Sequence, residues 1–266
     1  MKRVLTAMLA LACAMPLASQ TDRHAALDRI LDTYVRGGAV YYRALKIERA
    51  ALDRYVQALD VAPAELARWT PAERKAFWLN AYNALVLRTV INAYPIRGTS
   101  PDYPADSIRQ IPGAFDRLNH AVAGDRLTLD AIESRLLEES GDARVVLALG
   151  RGARGSGRLR SEAFRVDRLD QQLEEAVKEC AERVACVDLD LTAGTLTISP
   201  LLGWRAAALE RTFGPKAGDR WPQRSPLERA IAAMASPFLF PRERDMLAAD
   251  TFRLQYGAFD WSLNEL

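Results

Sequence analysis

The stretch from Thr70 to Pro95, TPAERKAFWLNAYNALVLRTVINAYP, restricts the fold more than any other part of this 266-residue chain. Thr70 is a good N-cap residue, Pro71 suits the first helical position, and Glu73 completes a T-x-x-E capping box. Pro95 ends the helix, because proline cannot continue one. Phe77, Trp78, Ala81, Leu85, Val86, Val90 and Ile91 cover most of its circumference. A helix that is apolar nearly all round must be enclosed by protein, so a central buried helix is predicted.

The remaining segments read as elements that could enclose it. AALDRILDTYVRGG places Leu27, Ile30, Leu31, Tyr34 and Val35 at helical spacing, with glycine at the stop. AVYYRAL follows, then a second amphipathic helix carrying Leu52, Tyr55, Val56 and Leu59. After a Pro/Gly/Ser-rich connection come a short strand (HAVAG), the helix LTLDAIESRLL and a buried apolar run, RVVLALG, read as a strand. A helix start is read at Ser161 and a helix through residues 167–184. CVDLDLTAGTLTIS alternates on both sides of Ala193-Gly194, as a β-hairpin does, and SPLERAIAAM repeats the capping signal. No repeat, low-complexity region or linker divides the chain. The expectation is one α+β domain over residues 21–266. It has a central buried helix, several amphipathic helices and a small mixed or antiparallel sheet including a β-hairpin.

MKRVLTAMLALACAMPLASQ has two basic residues, an apolar run from Val4 to Ala14, then Pro16 and small residues. That is the pattern of a secretory signal peptide, residues 1–20, too short to span a membrane. Acylation at Cys13, which follows the small residues of LALAC, would instead make the chain a lipoprotein, the weaker reading. An exported (periplasmic or secreted) protein is the expectation. Removal of Lys2 and Arg3 lowers Lys plus Arg from 36 to 34, against 34 acids. The mature chain is then close to neutral, and nucleic acid loses its electrostatic appeal as a partner. Cys180 and Cys186 remain, where a helix gives way to a strand. In an exported protein they form either a short-loop disulfide or two free thiols. No zinc spacing occurs and no cofactor is called for. The only histidines are His24 and His120, the second placed on the surface.

One segment asks for more. Gly150–Arg160, GRGARGSGRLR, begins with G-x-G-x-x-G and carries Arg151, Arg154, Arg158 and Arg160. A dinucleotide turn needs a parallel strand with an acidic tip after its helix, and a hairpin follows here instead. A Walker A loop needs Gly-Lys-Ser/Thr, which is absent. Two readings stay open. Backbone N–H groups around Gly152 and the four arginines could hold an anion. Alternatively, the loop is solvated and pairs with acids such as Glu162, Asp167 and Asp170.

The pieces taken in order resemble the domain-of-unknown-function 547 family: AFWLNAYNAL, LDRILDTYVRGGAVYYRAL, RLTLDAIESRLL and FDWSLN each look like a family segment. The resemblance implies an α+β domain, frequently exported in bacteria, with no stated activity. It also implies a Cys/His constellation that this chain lacks. Arg151 and Ser156 stand where the family has cysteines, Val146 and Ser134 where it has histidines, and Gly157 and Arg158 where it has prolines. Arginine is no nucleophile at physiological pH. The chain is thus expected to bind rather than catalyse, its ligand an anionic small molecule, an envelope polymer or a partner protein. The alternative is a hydrolase or transferase using Ser156, or Asp130 and Glu133 as general acid and base. The same two carboxylates could simply complement the helix dipole after the Thr128 cap. Asn80, Tyr82, Asn83 and Glu133 are candidates for a pocket wall; the asparagines alternatively hydrogen-bond the backbone of neighbouring loops. Trp78 and Trp261 are expected in the core.

Overall fold

A computed structural model describes residues 23–266; the expected signal segment lies outside them. The chain opens with α1 (Ala25–Tyr34), the two-residue strands β1 (Val35–Arg36) and β2 (Ala39–Val40), and α2 (Tyr42–Ile47), α3 (Ala50–Gln57) and α4 (Pro63–Leu66). The long helix α5 (Pro71–Ala93) comes next, followed by β3 (His120–Val122), β4 (Asp125–Leu127), α6 (Leu129–Ser140), α7 (Arg144–Ala148) and α8 (Leu169–Ala181). The hairpin β5 (Val187–Asp190) and β6 (Thr195–Ile198) leads to α9 (Pro200–Trp204), α10 (Ala206–Ala217), α11 (Pro226–Ala235), α12 (Pro241–Ala248) and β7 (Arg253–Tyr256). β5 pairs antiparallel with β6, and β7 adds parallel to β6, so the sheet is mixed. The fold is α+β. Among the described residues, no helix is long and apolar enough to cross a membrane.

α5 is enclosed as its sequence requires. The Thr70 hydroxyl accepts the Glu73 N–H, and the Glu73 carboxylate accepts the Thr70 N–H at 2.6 Å. From Ala76 to Ile91 every residue but Arg88 is buried, and Trp78, Leu79, Ala81, Tyr82 and Leu85 are 0% exposed. α6 covers one side of this helix, and α2 and α3 cover others. The capping box expected at Ser225 and Glu228 starts α11.

Two expectations are corrected. RVVLALG is not a strand: Arg144–Ala148 is helical, with Val145 to Ala148 buried between α6 and α8. A short apolar run cannot distinguish a buried strand from a buried helix, and among the described residues no strand pairs with it. Nor does a helix begin at Ser161. The chain stays irregular until a 3₁₀ turn at Val166–Arg168, and α8 ends at Ala181. Side chains take the backbone donors that an earlier helix would have used. Asp28 accepts from the Ala163 N–H, Asn80 from Phe164 and Gln172 from Arg165, each at 2.9 Å.

His120 is likewise not on the surface. It is 6% exposed, because β3 turns alternate side chains inward. His24 is 8% exposed and its Nδ1 lies 2.7 Å from the Tyr55 hydroxyl. Burial lowers both histidines from 6.5 to about 4, with the charges of Arg23 and Arg88 adding to the effect on His24 and His120 respectively. The unfolded chain therefore takes up protons near pH 6.5 that the folded chain refuses until about pH 4. Stability present above pH 6.5 should be lost as pH falls toward 4. The urea midpoint should be lower at about pH 5 than at about pH 7, and His120→Gln should narrow the gap. Equal midpoints at both pH values would mean that the folded state accepts these protons freely.

Candidate functional site

The glycines of GRGARGSG serve close chain packing. A Cβ on Gly155 would lie 2.8 Å from the Asp260 backbone nitrogen, and one on Gly157 only 2.2 Å from the Leu147 carbonyl oxygen. Gly152 has φ +68°, which favours glycine, and sits against Ile108, Val86 and Val90. The C-terminal strap, residues 260–266, explains the crowding. Its Asp260 and Ser262 carbonyls accept the N–H groups of Gly155 (2.8 Å) and Arg154 (3.0 Å). Asn264 then ties the strap to β2 through the Val40 N–H (2.8 Å) and to the Tyr42 hydroxyl (2.7 Å).

Asn80 and Asn83 hold the segment from its other side. The Asn83 side chain accepts the Gly150 N–H (2.9 Å) and donates to the Ala148 carbonyl (3.3 Å). The Asn80 side chain exchanges two hydrogen bonds of 2.9 Å with the Phe164 backbone. Both are at most 3% exposed. The asparagines at i and i+3 on α5 thus clamp the two ends of one loop, each amide donating once to backbone and accepting once from it. Tyr82 is 0% exposed, and its hydroxyl has no partner among the described residues.

The four loop arginines have four different fates. Arg151 is 4% exposed. Its guanidinium donates to Glu133 at 2.7 Å and to the Val146 and Leu149 carbonyls. Glu133 is 3% exposed and accepts a second charged bond from Arg205 at 2.9 Å. Burial alone would raise the Glu133 pKa, but the charges and hydrogen bonds of Arg151 and Arg205 outweigh it and hold the carboxyl below its ordinary range. Arg160 is held by Glu162, at 2.8 Å, and by Glu175. Arg154 is exposed and donates to the Glu265 carbonyl at 3.0 Å. Arg158 is exposed too, its side chain lying across Gly37 and Gly38 of the β1–β2 turn. Of the acids expected to pair with the loop, Glu162 does so. Asp167 instead pairs with Arg165, and Asp170 with Arg144.

Two candidate chemistries meet obstacles. Ser156 is 2% exposed; its hydroxyl donates to the Ala153 carbonyl at 2.6 Å and accepts the Arg151 N–H at 3.1 Å. Among the described residues no histidine or carboxylate is hydrogen-bonded to it, so no base is placed to activate it. Glu133 is neutralised by its two arginines, while Asp130 is exposed. Desolvation and the Glu133 charge push Asp130 upward, against Arg109 and Arg205. The Thr128 hydroxyl caps α6 by accepting the Ala131 N–H at 3.1 Å.

Trp78 is in the core, 0% exposed, but Trp261 is only half-buried. It stacks on Trp204 (5.8 Å between ring centres) and lies 4.4 Å from the Phe259 ring, with the Arg109 guanidinium 4.5 Å above it. Cys180 and Cys186 form a disulfide between the end of α8 and the start of β5.

That bridge brackets an arginine absent from every motif in the sequence. Arg183 sits midway between the cysteines and donates to the Ser156 carbonyl at 2.8 Å. Arg154, Arg158 and Arg183 line one cleft of about 220 Å³, together with Gly37, Asn264 and the Ser156–Gly157 turn. No Asp or Glu lines that cleft. Among the described residues no carboxylate oxygen lies within 4.0 Å of these three guanidinium groups. Burial holds Arg183 below its ordinary pKa; nearby Glu179 acts the other way and Arg158 adds to the lowering. The Arg183 Nε–H is buried without a partner among the described residues. Asn80, Tyr82, Asn83, Glu133, Arg151, Gly152 and Arg160 do not line this cleft. Also among the described residues, no group of three or more His, Cys, Asp or Glu side chains could hold a metal ion.

Fold and site together define an α+β domain whose arginine-rich loop is built into the core at one edge and open at the other. Residues 66–179 match the family model described as "Protein of unknown function, DUF547", which supports assigning that segment to the family. No curated protein and no solved structure matches it.

Proposed function

We propose that this protein, exported by its first 20 residues, binds a small anion in the cleft of Arg154, Arg158 and Arg183 and performs no chemistry on it. One observation carries the reading: three arginines line one 220 Å³ cleft whose lining contains no Asp or Glu. Like charges so placed repel one another and are partly desolvated, and an anion relieves both penalties. Forked guanidinium donors suit carboxylate, sulfate and phosphate oxygens. The unpartnered Nε–H of Arg183 is one donor such a ligand could satisfy.

Thermal unfolding tests the proposal. Sulfate or citrate at about ten times its Kd should stabilise the folded state by about 1.4 kcal/mol. For a chain of this size that raises Tm by about 3–6 °C. Sodium chloride at equal ionic strength is the control. Arg158→Ala should remove most of the shift and Arg158→Lys should retain part of it, whereas Arg160→Ala should leave it intact. Equal shifts in wild type and Arg158→Ala, or no anion-specific shift at all, would overturn the reading.

A further inference from the structure

The arginine cleft does not end at Arg158. Gly157, Arg158 and Arg183 also line a second cleft, of about 330 Å³, on the other side of the same turn. Its lining is different in kind. Leu147, Ala176, Cys180 and Leu201 contribute to it, and each is at most 5% exposed. Two acids, Glu179 and Glu182, also line it. Arg160, already held by Glu162 and Glu175, lies 3.9 Å from Glu179, and Lys178 lies 3.8 Å from Glu182.

The two clefts meet at Gly157, the one position in the turn with no side chain between Ser156 and Arg158. A Cβ there would collide with the Leu147 carbonyl. The dividing wall at that residue is therefore bare backbone, and Arg158 and Arg183 face both sides. A charged compartment and one of mixed apolar and charged lining share a thin wall and two cations.

We propose that the ligand is an amphiphilic anion: an acidic head group on Arg154, Arg158 and Arg183, with an unbranched alkyl tail passing over Gly157 into the second cleft. This rests on the anion-binding reading and deepens it. The head supplies the forked hydrogen bonds, and the tail packs in the second cleft against the exposed edges of its apolar side chains and the methylene stems of Arg158 and Arg183. Each buried methylene should tighten binding by roughly threefold to fourfold. The gain should stop when the cleft is full.

The test is a calorimetric titration of the whole protein with straight-chain carboxylates from acetate to decanoate, below their micellar concentrations and at constant ionic strength. Affinity should climb with chain length and then level off. 1-Octanol, with tail but no charge, should bind far more weakly than octanoate. Arg158→Ala should weaken octanoate and acetate by similar factors. Ala176→Phe, which fills the second cleft, should flatten the series while leaving sulfate stabilisation intact. If that variant does not fold, the wild-type series decides alone. Octanoate binding no tighter than acetate would overturn the tail and leave the arginine site standing. Octanoate binding unchanged by Arg158→Ala would overturn the coupling of head to tail. If neither sulfate nor any carboxylate binds, the anion reading itself falls.

Discussion

Glu133→Leu should destabilise this protein by about 3–5 kcal/mol, the range for removing one partner of a buried ion pair. Glu133 and Arg151 are 3% and 4% exposed and meet at 2.7 Å. Without the carboxylate, the Arg151 guanidinium would remain in the core with two backbone carbonyls and no counter-charge. Arg151→Met should cost less, because Arg205 still lies 2.9 Å from Glu133 and can neutralise it. The double variant Glu133→Leu/Arg151→Met should recover much of the loss, since well-packed apolar side chains often replace a buried pair without penalty. Urea unfolding of the three variants measures this as a double-mutant cycle. A loss below about 1 kcal/mol for Glu133→Leu would mean the pair is solvated, as surface pairs are.

Trp78→Ala should destabilise by about 3–5 kcal/mol as well, for a different reason: a large cavity in the centre of the molecule. Trp78 is 0% exposed, packs edge-on against Phe77 with ring centres 5.1 Å apart, and has the Arg135 guanidinium 5.3 Å above its ring. Its indole N–H has no partner among the described residues. Trp78→Phe should therefore lose less than Trp78→Ala, because it keeps most of the apolar contact and removes a buried orphan donor. Equilibrium denaturation compares the two. A Trp78→Ala loss near zero would contradict a central packing role.

The elements that could be read from sequence are those whose signals are local. Thr70, Pro71 and Glu73 sit within one helical turn, and the apolar residues of α5 repeat with the helical period, so the start and burial of α5 were legible. The same holds for the hairpin around Ala193-Gly194 and the second capping box. α7 was misread because five apolar residues carry no period, and only the absence of a pairing strand among the described residues rules out sheet. The late start of α8 was invisible because Asp28, Asn80 and Gln172 decide it, and two of them lie more than 80 residues upstream.

The candidate site divides the same way. Composition alone marks Gly150–Arg160 as a loop rich in glycine and arginine. Which arginine is buried, caged or open depends on what the fold brings to each. Arg151 meets Glu133 from α6, 18 residues before it, and Arg154 meets the backbone of Glu265, 111 residues after it. Arg183 joins the cleft from beyond α8, and nothing near it in sequence marks it except the flanking cysteines. Helix caps, periodicity and turns are short-range interactions between neighbours in the chain, so the sequence by itself determined the central helix and the α+β class. A charge acquires its role from counter-charges and desolvation within a few ångströms in space, so only the tertiary structure decided that Arg151 stabilises the core while Arg158 faces the clefts.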